Sequence, residues 1–115
     1  MKMKISKTAA VQEGQAVLFR IVRARRYVHG FLIRYQGEIF AYENKCRHLP
    51  LSLDYDDGRF FDEARRHLVC QTHGAIYEPD SGLCLRGPCQ GARLFPIEFE
   101  ELKGEIYVES EGESF

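Results

Sequence analysis

Cys46-Arg47-His48 and, after an insert running from Leu49 to Val69, Cys70-Gln71-Thr72-His73-Gly74 are the two stretches on which the reading of this chain turns. Each pairs one thiol with one imidazole. Thiolate and imidazole nitrogen are both good ligands for borderline and soft metals, so two loops that each supply one of either kind can close on a metal group from both sides. The surrounding segment, about residues 44–91, is rich in turn signals: Asp56-Asp57-Gly58, Pro79-Asp80-Ser81-Gly82 and Arg86-Gly87-Pro88. They leave room only for short strands such as Phe60-Phe61 and Leu68-Val69, with one turn of helix expected over Asp62–Arg66.

Both flanks of this segment read as β. From Val17 to Arg25 apolar and basic residues mix, and Phe31, Ile33 and Tyr35 alternate with Leu32 and Arg34, the period of a half-buried strand. Gln36-Gly37 interrupts before Ile39-Phe40-Ala41-Tyr42 resumes, which suits a tight hairpin because glycine accepts the positive φ such turns require. On the far side Phe95, Ile97 and Phe99 lead to a turn at Lys103-Gly104 and return through Ile106 and Val108. The expected fold class is all-β and antiparallel, in one domain spanning 1–115, with the cysteine-bearing segment 44–91 as a subdomain inserted in the β base.

The bulk properties agree with a packed globular unit: 115 residues, 44% hydrophobic and 29% charged. A net charge of −1 provides no general basic field toward nucleic acid or anionic lipid. Met1-Lys2-Met3-Lys4-Ile5 is not followed by the apolar core of a signal peptide, and the longest apolar runs, such as Ala16-Val17-Leu18-Phe19, are far below the ~20 residues of a spanning helix. The expectation is a cytoplasmic protein that uses neither membrane nor nucleic acid. Its four cysteines are then read as metal ligands or thiols before disulfides.

Cys46-Arg47-His48 followed by Cys70-Gln71-Thr72-His73-Gly74 resembles the pattern of the Rieske [2Fe–2S] family, in which two cysteines bind one iron and two histidines the other. The resemblance continues into Tyr77, the turn at Asp80-Ser81-Gly82, and Gly87-Pro88, which is similar to the family's proline loop over the cluster. It covers roughly Val17 to Val108. It implies a Rieske-type antiparallel β-sandwich with a small cluster-binding subdomain, and one [2Fe–2S] cluster on Cys46, His48, Cys70 and His73. The function implied is that of a monomeric one-electron carrier between a ferredoxin reductase and a terminal oxygenase or similar acceptor. The expectation is an electron-transfer protein and not an enzyme, since 115 residues leave no room for the catalytic domain of an oxygenase.

Two other readings compete. Two cysteines and two histidines also satisfy tetrahedral zinc, although Cys-x-His is tight for a zinc half-site and a Gly-Pro loop has no zinc role. A small subunit like that of assimilatory nitrite reductase shares the fold without needing a cluster, and intact ligand positions argue against it.

Departures from the family pattern carry tuning information. High-potential relatives have a disulfide between the ligand loops; Leu51 and Thr72 stand at those positions and cannot form one. The relatives' serine after His-Gly matches Ala75 and their tyrosine matches Tyr77, so one hydroxyl donor toward cluster sulfur is lost and one is available. Fewer donors to the reduced cluster place the potential in the lower half of the Rieske span of about −150 to +300 mV. Packing alone would also put an aromatic at position 77.

His29 and His67 are read as solvated strand positions and not as ligands. Cys84 and Cys89, on either side of the Gly-Pro loop, are read as thiols. Arg47 and Arg86 put basic charge near the ligand loops, balanced by Asp54, Asp56, Asp57 and Glu63.

Overall fold

The computed structural model of the chain describes residues 1–46, 53, 59–70 and 74–111. Nine strands are formed among the described residues: β1 Lys2–Lys7, β2 Ala16–Arg23, β3 Arg26–Tyr35, β4 Glu38–Glu43, β5 Leu68–Val69, β6 Ile76–Tyr77, β7 Cys84–Arg86, β8 Glu100–Leu102 and β9 Glu105–Glu109. They pair antiparallel in three small sheets, ordered β2-β3-β4, β1-β9-β8 and β5-β6-β7. The all-β expectation holds. No helix among the described residues is long and apolar enough to cross a membrane.

Three two-residue turns set the register of the longer hairpins. Gln36-Gly37 and Lys103-Gly104 both have positive φ at each position, the mirror-image turn whose twist matches that of paired strands, as their glycines led us to expect. The third turn lies at Ala24-Arg25, with φ of 51° and 61° and Arg23 facing Arg26. The sequence gives no signal for this turn, because neither residue is the glycine or asparagine that advertises it. The left-handed conformation costs a non-glycine residue about 1–2 kcal/mol. Neighbouring chain holds it: Glu111 accepts a hydrogen bond from the Ala24 amide at 2.8 Å, and the Ser110 hydroxyl accepts one from the Val22 amide at 3.0 Å.

β3 is the centre of the protein. Gly30, Phe31, Leu32 and Ile33 are all buried, so both faces of the strand are covered instead of the single face expected from its alternation. One face contributes Leu32 to a core with Val11, Ile21, Ala41, Ile97, Ile106 and Val108, which lies against β9. The other contributes Phe31 and Ile33 to a second core with Leu53, Phe60, Leu68, Tyr77 and Leu94, reaching the small β5-β6-β7 sheet. The Phe31 and Phe60 rings stack at a centroid distance of 4.1 Å and 16° between planes. Each fully buried apolar side chain of this size contributes about 1.5–3 kcal/mol. Gly30 sits where Phe19 crosses: a Cβ there would lie 2.5 Å from the Phe19 ring and 2.8 Å from Ile97 Cδ1.

Other local expectations need correction. Phe95 to Phe99 do not extend the last hairpin, whose first strand is only Glu100–Leu102. Pro96 has no amide hydrogen, so this stretch docks on β4 through isolated bonds, Glu43 N–H to Phe95 O and Ile97 N–H to Ala41 O. Asp62–Arg66 is not helical. The Asp62 carboxylate accepts from the amides of Arg66 and His67, and Arg65 takes a φ of 57°, so the segment closes as a turn that returns Leu68 beside Phe61. β1 was not anticipated; its lysines face solvent while Met3 and Ile5 pack on the core under β9.

Candidate metal centre

Cys46 lies three residues beyond Glu43, the last residue of β4 paired with β3. The Asn44 amide donates to His29 O and the Lys45 amide to Glu43 O, turning the chain away from the sheet, and the Asn44 side-chain oxygen accepts from the Leu53 amide at 2.8 Å. Asn44 thereby ties the end of β4 to Leu53. Sequence reading passed over it, although an asparagine leaving a strand just before a ligand motif is a recognisable turn signal.

Cys70 follows β5 directly and opens the second loop. Its amide donates to Ala75 O at 2.8 Å, and Gly74 N–H returns to Cys70 O at 2.7 Å, which pins Cys70 beside Gly74 and Ala75. Gly74 has φ of 72°, which explains the glycine after the second histidine. His48 and His73, the two imidazoles expected as ligands, lie outside the described residues, as do Arg47, Leu51, Thr72 and the insert tip Asp54–Gly58.

Cys46 and Cys70 are 2% and 0% exposed and belong to the same core. Neither is in a disulfide, nor are Cys84 and Cys89, as expected of thiols. Tyr77, fully buried on β6, reaches this place from below. Its hydroxyl is 3.5 Å from Cys46 Sγ and 3.2 Å from Cys89 Sγ. The Cys89 thiol donates to Cys84 Sγ at 3.1 Å, and the Cys84 thiol donates to Arg86 O at 3.1 Å. Burial, with help from the neighbouring Cys89, pushes the Cys84 thiol up to about 12.

The Gly87-Pro88 turn presses on the second loop from the side. Gly87 has φ of 108°, and a Cβ placed on it would stand 3.0 Å from Ala75 Cα, so only glycine lets the two backbones approach. Arg86, just before it, is exposed. His29 is exposed on β3 and His67 is bonded to Asp62, 3.4 Å from its carboxylate; neither side chain belongs to the Cys46–Cys70 core. Burial opposes ionisation of Asp62, but the amides of Arg66 and His67 and the His67 imidazole outweigh it and hold the carboxyl below its usual range.

Two buried thiols at the mouths of adjacent loops, an inner tyrosine and a glycine–proline turn against the second loop make up the plan of a β domain built around an iron–sulfur group. The chain belongs to the Rieske [2Fe–2S] domain family, which it matches over residues 1–104. The family's cofactor is one Rieske-type [2Fe–2S] cluster.

Solved structures share the fold. The terminal oxygenase of carbazole 1,9a-dioxygenase from Novosphingobium sp. KA1 is similar at 21% identity and a TM-score of 0.73, covering 99% of this chain and 31% of that one. The chain thus spans about a third of the oxygenase chain's length. The ferredoxin of carbazole 1,9a-dioxygenase from Nocardioides aromaticivorans IC177 is similar at 17% identity and a TM-score of 0.70, covering 96% of this chain and 99% of that one. A chain from a complex of reduced oxygenase and oxidised ferredoxin in carbazole 1,9a-dioxygenase is 24% identical, with a TM-score of 0.69 and coverage of 97% and 95%. No curated protein matches the sequence.

The chemistry of the donor set fits the cluster. A Rieske centre takes two thiolates and two imidazoles. The two thiols are enclosed together and outside disulfides, and each begins a short motif containing a histidine.

Proposed function

We propose that this chain is a soluble one-electron carrier in which Cys46 and Cys70 bind one iron of the cluster and His48 and His73 the other. The reading rests on the joint enclosure of Cys46 and Cys70 in one core at the mouths of the two Cys-His motifs. When bound, the cluster supplies reversible one-electron chemistry, with little rearrangement of the protein. The work of the chain is to hold and shield it. Residues 44–91 act as the cluster-binding subdomain: the hydrogen bonds of Asn44, and those of Cys70 with Gly74 and Ala75, preset the loop mouths, and Phe60, Leu68 and Tyr77 exclude water from the thiolate side. The Gly87-Pro88 turn covers the second loop, and electrons are exchanged on the histidine side.

Ala75 is fully buried and offers no hydroxyl, while Tyr77 offers one directed at Cys46. That single donor, together with Leu51 and Thr72 in place of a disulfide, supports a potential in the lower half of the Rieske span. Similarity to a dioxygenase ferredoxin over nearly its full length supports a carrier between a ferredoxin reductase and a terminal oxygenase or similar acceptor. We place it as a cytoplasmic monomer whose part is electron transfer.

Iron and acid-labile sulfide analysis of anaerobically purified protein, with electron paramagnetic resonance after dithionite reduction, tests the assignment. The expected result is two irons and two sulfides per chain with a Rieske-type signal, lost in Cys46→Ser and His73→Ala. A colourless protein holding zinc and no sulfide refutes it.

A further inference from the structure

Cys84 and Cys89 take no part in the proposed ligand set, yet the fold brings their sulfurs to 3.1 Å of each other. They flank the Gly87-Pro88 turn, and the backbone around them is already stitched. Cys84 N–H donates to Ala92 O, Gly91 N–H to Cys84 O, and Ala92 N–H to Cys89 O, so the mouth of the loop is held while the two side chains face across it. Cys84 is 1% exposed, whereas Cys89 is half-buried on a turn whose neighbours Pro88 and Gln90 are exposed. Cys89 is therefore the nearer of the two to solvent, and Cys84 is shielded but within reach of it. Closing to a bonded separation of about 2 Å takes a movement of about 1 Å, within the freedom of a surface turn.

We infer that Cys84 and Cys89 form a reversible dithiol–disulfide pair that exchanges two electrons with small-molecule disulfides, Cys89 reacting first and Cys84 resolving. In the first exchange Cys89 attacks a disulfide RSSR, forming Cys89–S–SR and releasing RSH. In the second Cys84 attacks the Cys89 sulfur, forming the intramolecular bond and releasing a second RSH. Two protein thiols lose two electrons and two protons, and one RSSR becomes two RSH. The pair adjoins the Tyr77 hydroxyl, itself within reach of Cys46, so its oxidation state is set next to the proposed cluster without involving a ligand.

The test uses the whole, cluster-loaded chain treated with glutathione disulfide, then acid-quenched and digested with trypsin without reduction. Cleavage after Arg66, Arg86 and Arg93 separates Cys84 from Cys89. The expected product is a cross-link between the peptides 67–86 and 87–93, assigned to Cys84 by fragmentation because Cys70 shares its peptide, and removed by dithiothreitol. Cys84→Ala is expected to retain glutathione on Cys89, and Cys89→Ser to take up neither adduct nor cross-link at Cys84. Unmodified Cys84 and Cys89 in the wild type, or a glutathione adduct that persists on Cys89, overturns the inference. These outcomes are read on the wild-type chain even if Cys84→Ala fails to fold, and they do not depend on which residues bind iron.

Discussion

Tyr77→Phe separates a tuning role for this tyrosine from a packing role. The ring is completely buried, and phenylalanine keeps its shape while removing a hydroxyl that stands 3.5 Å from Cys46 Sγ and 3.2 Å from Cys89 Sγ. A hydrogen bond of ordinary strength contributes about 0.5–1.5 kcal/mol net. Toward a ligand sulfur it favours the reduced cluster, which carries the additional negative charge. For a one-electron couple about 1.4 kcal/mol corresponds to about 59 mV, so losing the bond lowers the midpoint by about 20–60 mV. The nearer Cys89 sulfur competes for the same proton, which puts the expected shift in the lower part of that range. Spectroelectrochemical titration of wild type and variant at one pH and salt concentration measures it, with the visible spectrum confirming an intact cluster. A midpoint within about 10 mV of wild type would refute the tuning role and leave Tyr77 as a core aromatic.

Three further outcomes follow from the geometry. Phe60→Ala removes the ring stacked on Phe31 and is expected to cost about 3–5 kcal/mol in urea unfolding, with faster loss of visible colour, because this contact joins the ligand-bearing segment to β3. Arg25→Gly relieves a left-handed residue at φ 61° and is expected to stabilise by about 0.5–1 kcal/mol after the added chain entropy of glycine, read as a higher urea midpoint. Burial, with Asp80 nearby, pushes the Tyr42 hydroxyl from 10 up to about 12. The unfolded chain therefore loses this proton first, and stability present below pH 10 is expected to fall by about 1–2 kcal/mol as the pH rises toward 12, a slope that Tyr42→Phe flattens in urea titrations at stepped pH.

How much of this was legible beforehand follows from the range of the interactions concerned. Turn chemistry is local, so Gln36-Gly37 and Lys103-Gly104 announced their hairpins, whereas Ala24-Arg25 turns without any such residue because Ser110 and Glu111, distant in sequence, supply the bonds that hold it. Alternation in Phe31-Leu32-Ile33 reported a strand but not that both its faces are covered, which depends on what packs on each side. Pro96 was visible as a residue, yet its effect on the last hairpin required the docking of Phe95 and Ile97 on β4.

The same division holds at the metal centre. The family was readable from the Cys-His motifs alone, because donor type and short spacing are written in adjacent residues. Only the tertiary structure decided that Cys46 and Cys70 share one dry core, that the Tyr77 hydroxyl stands between Cys46 and Cys89, and that Cys84 faces Cys89. Those are meetings of side chains from separate strands and turns, set by packing and by backbone hydrogen bonds between them, and no spacing along the chain encodes them.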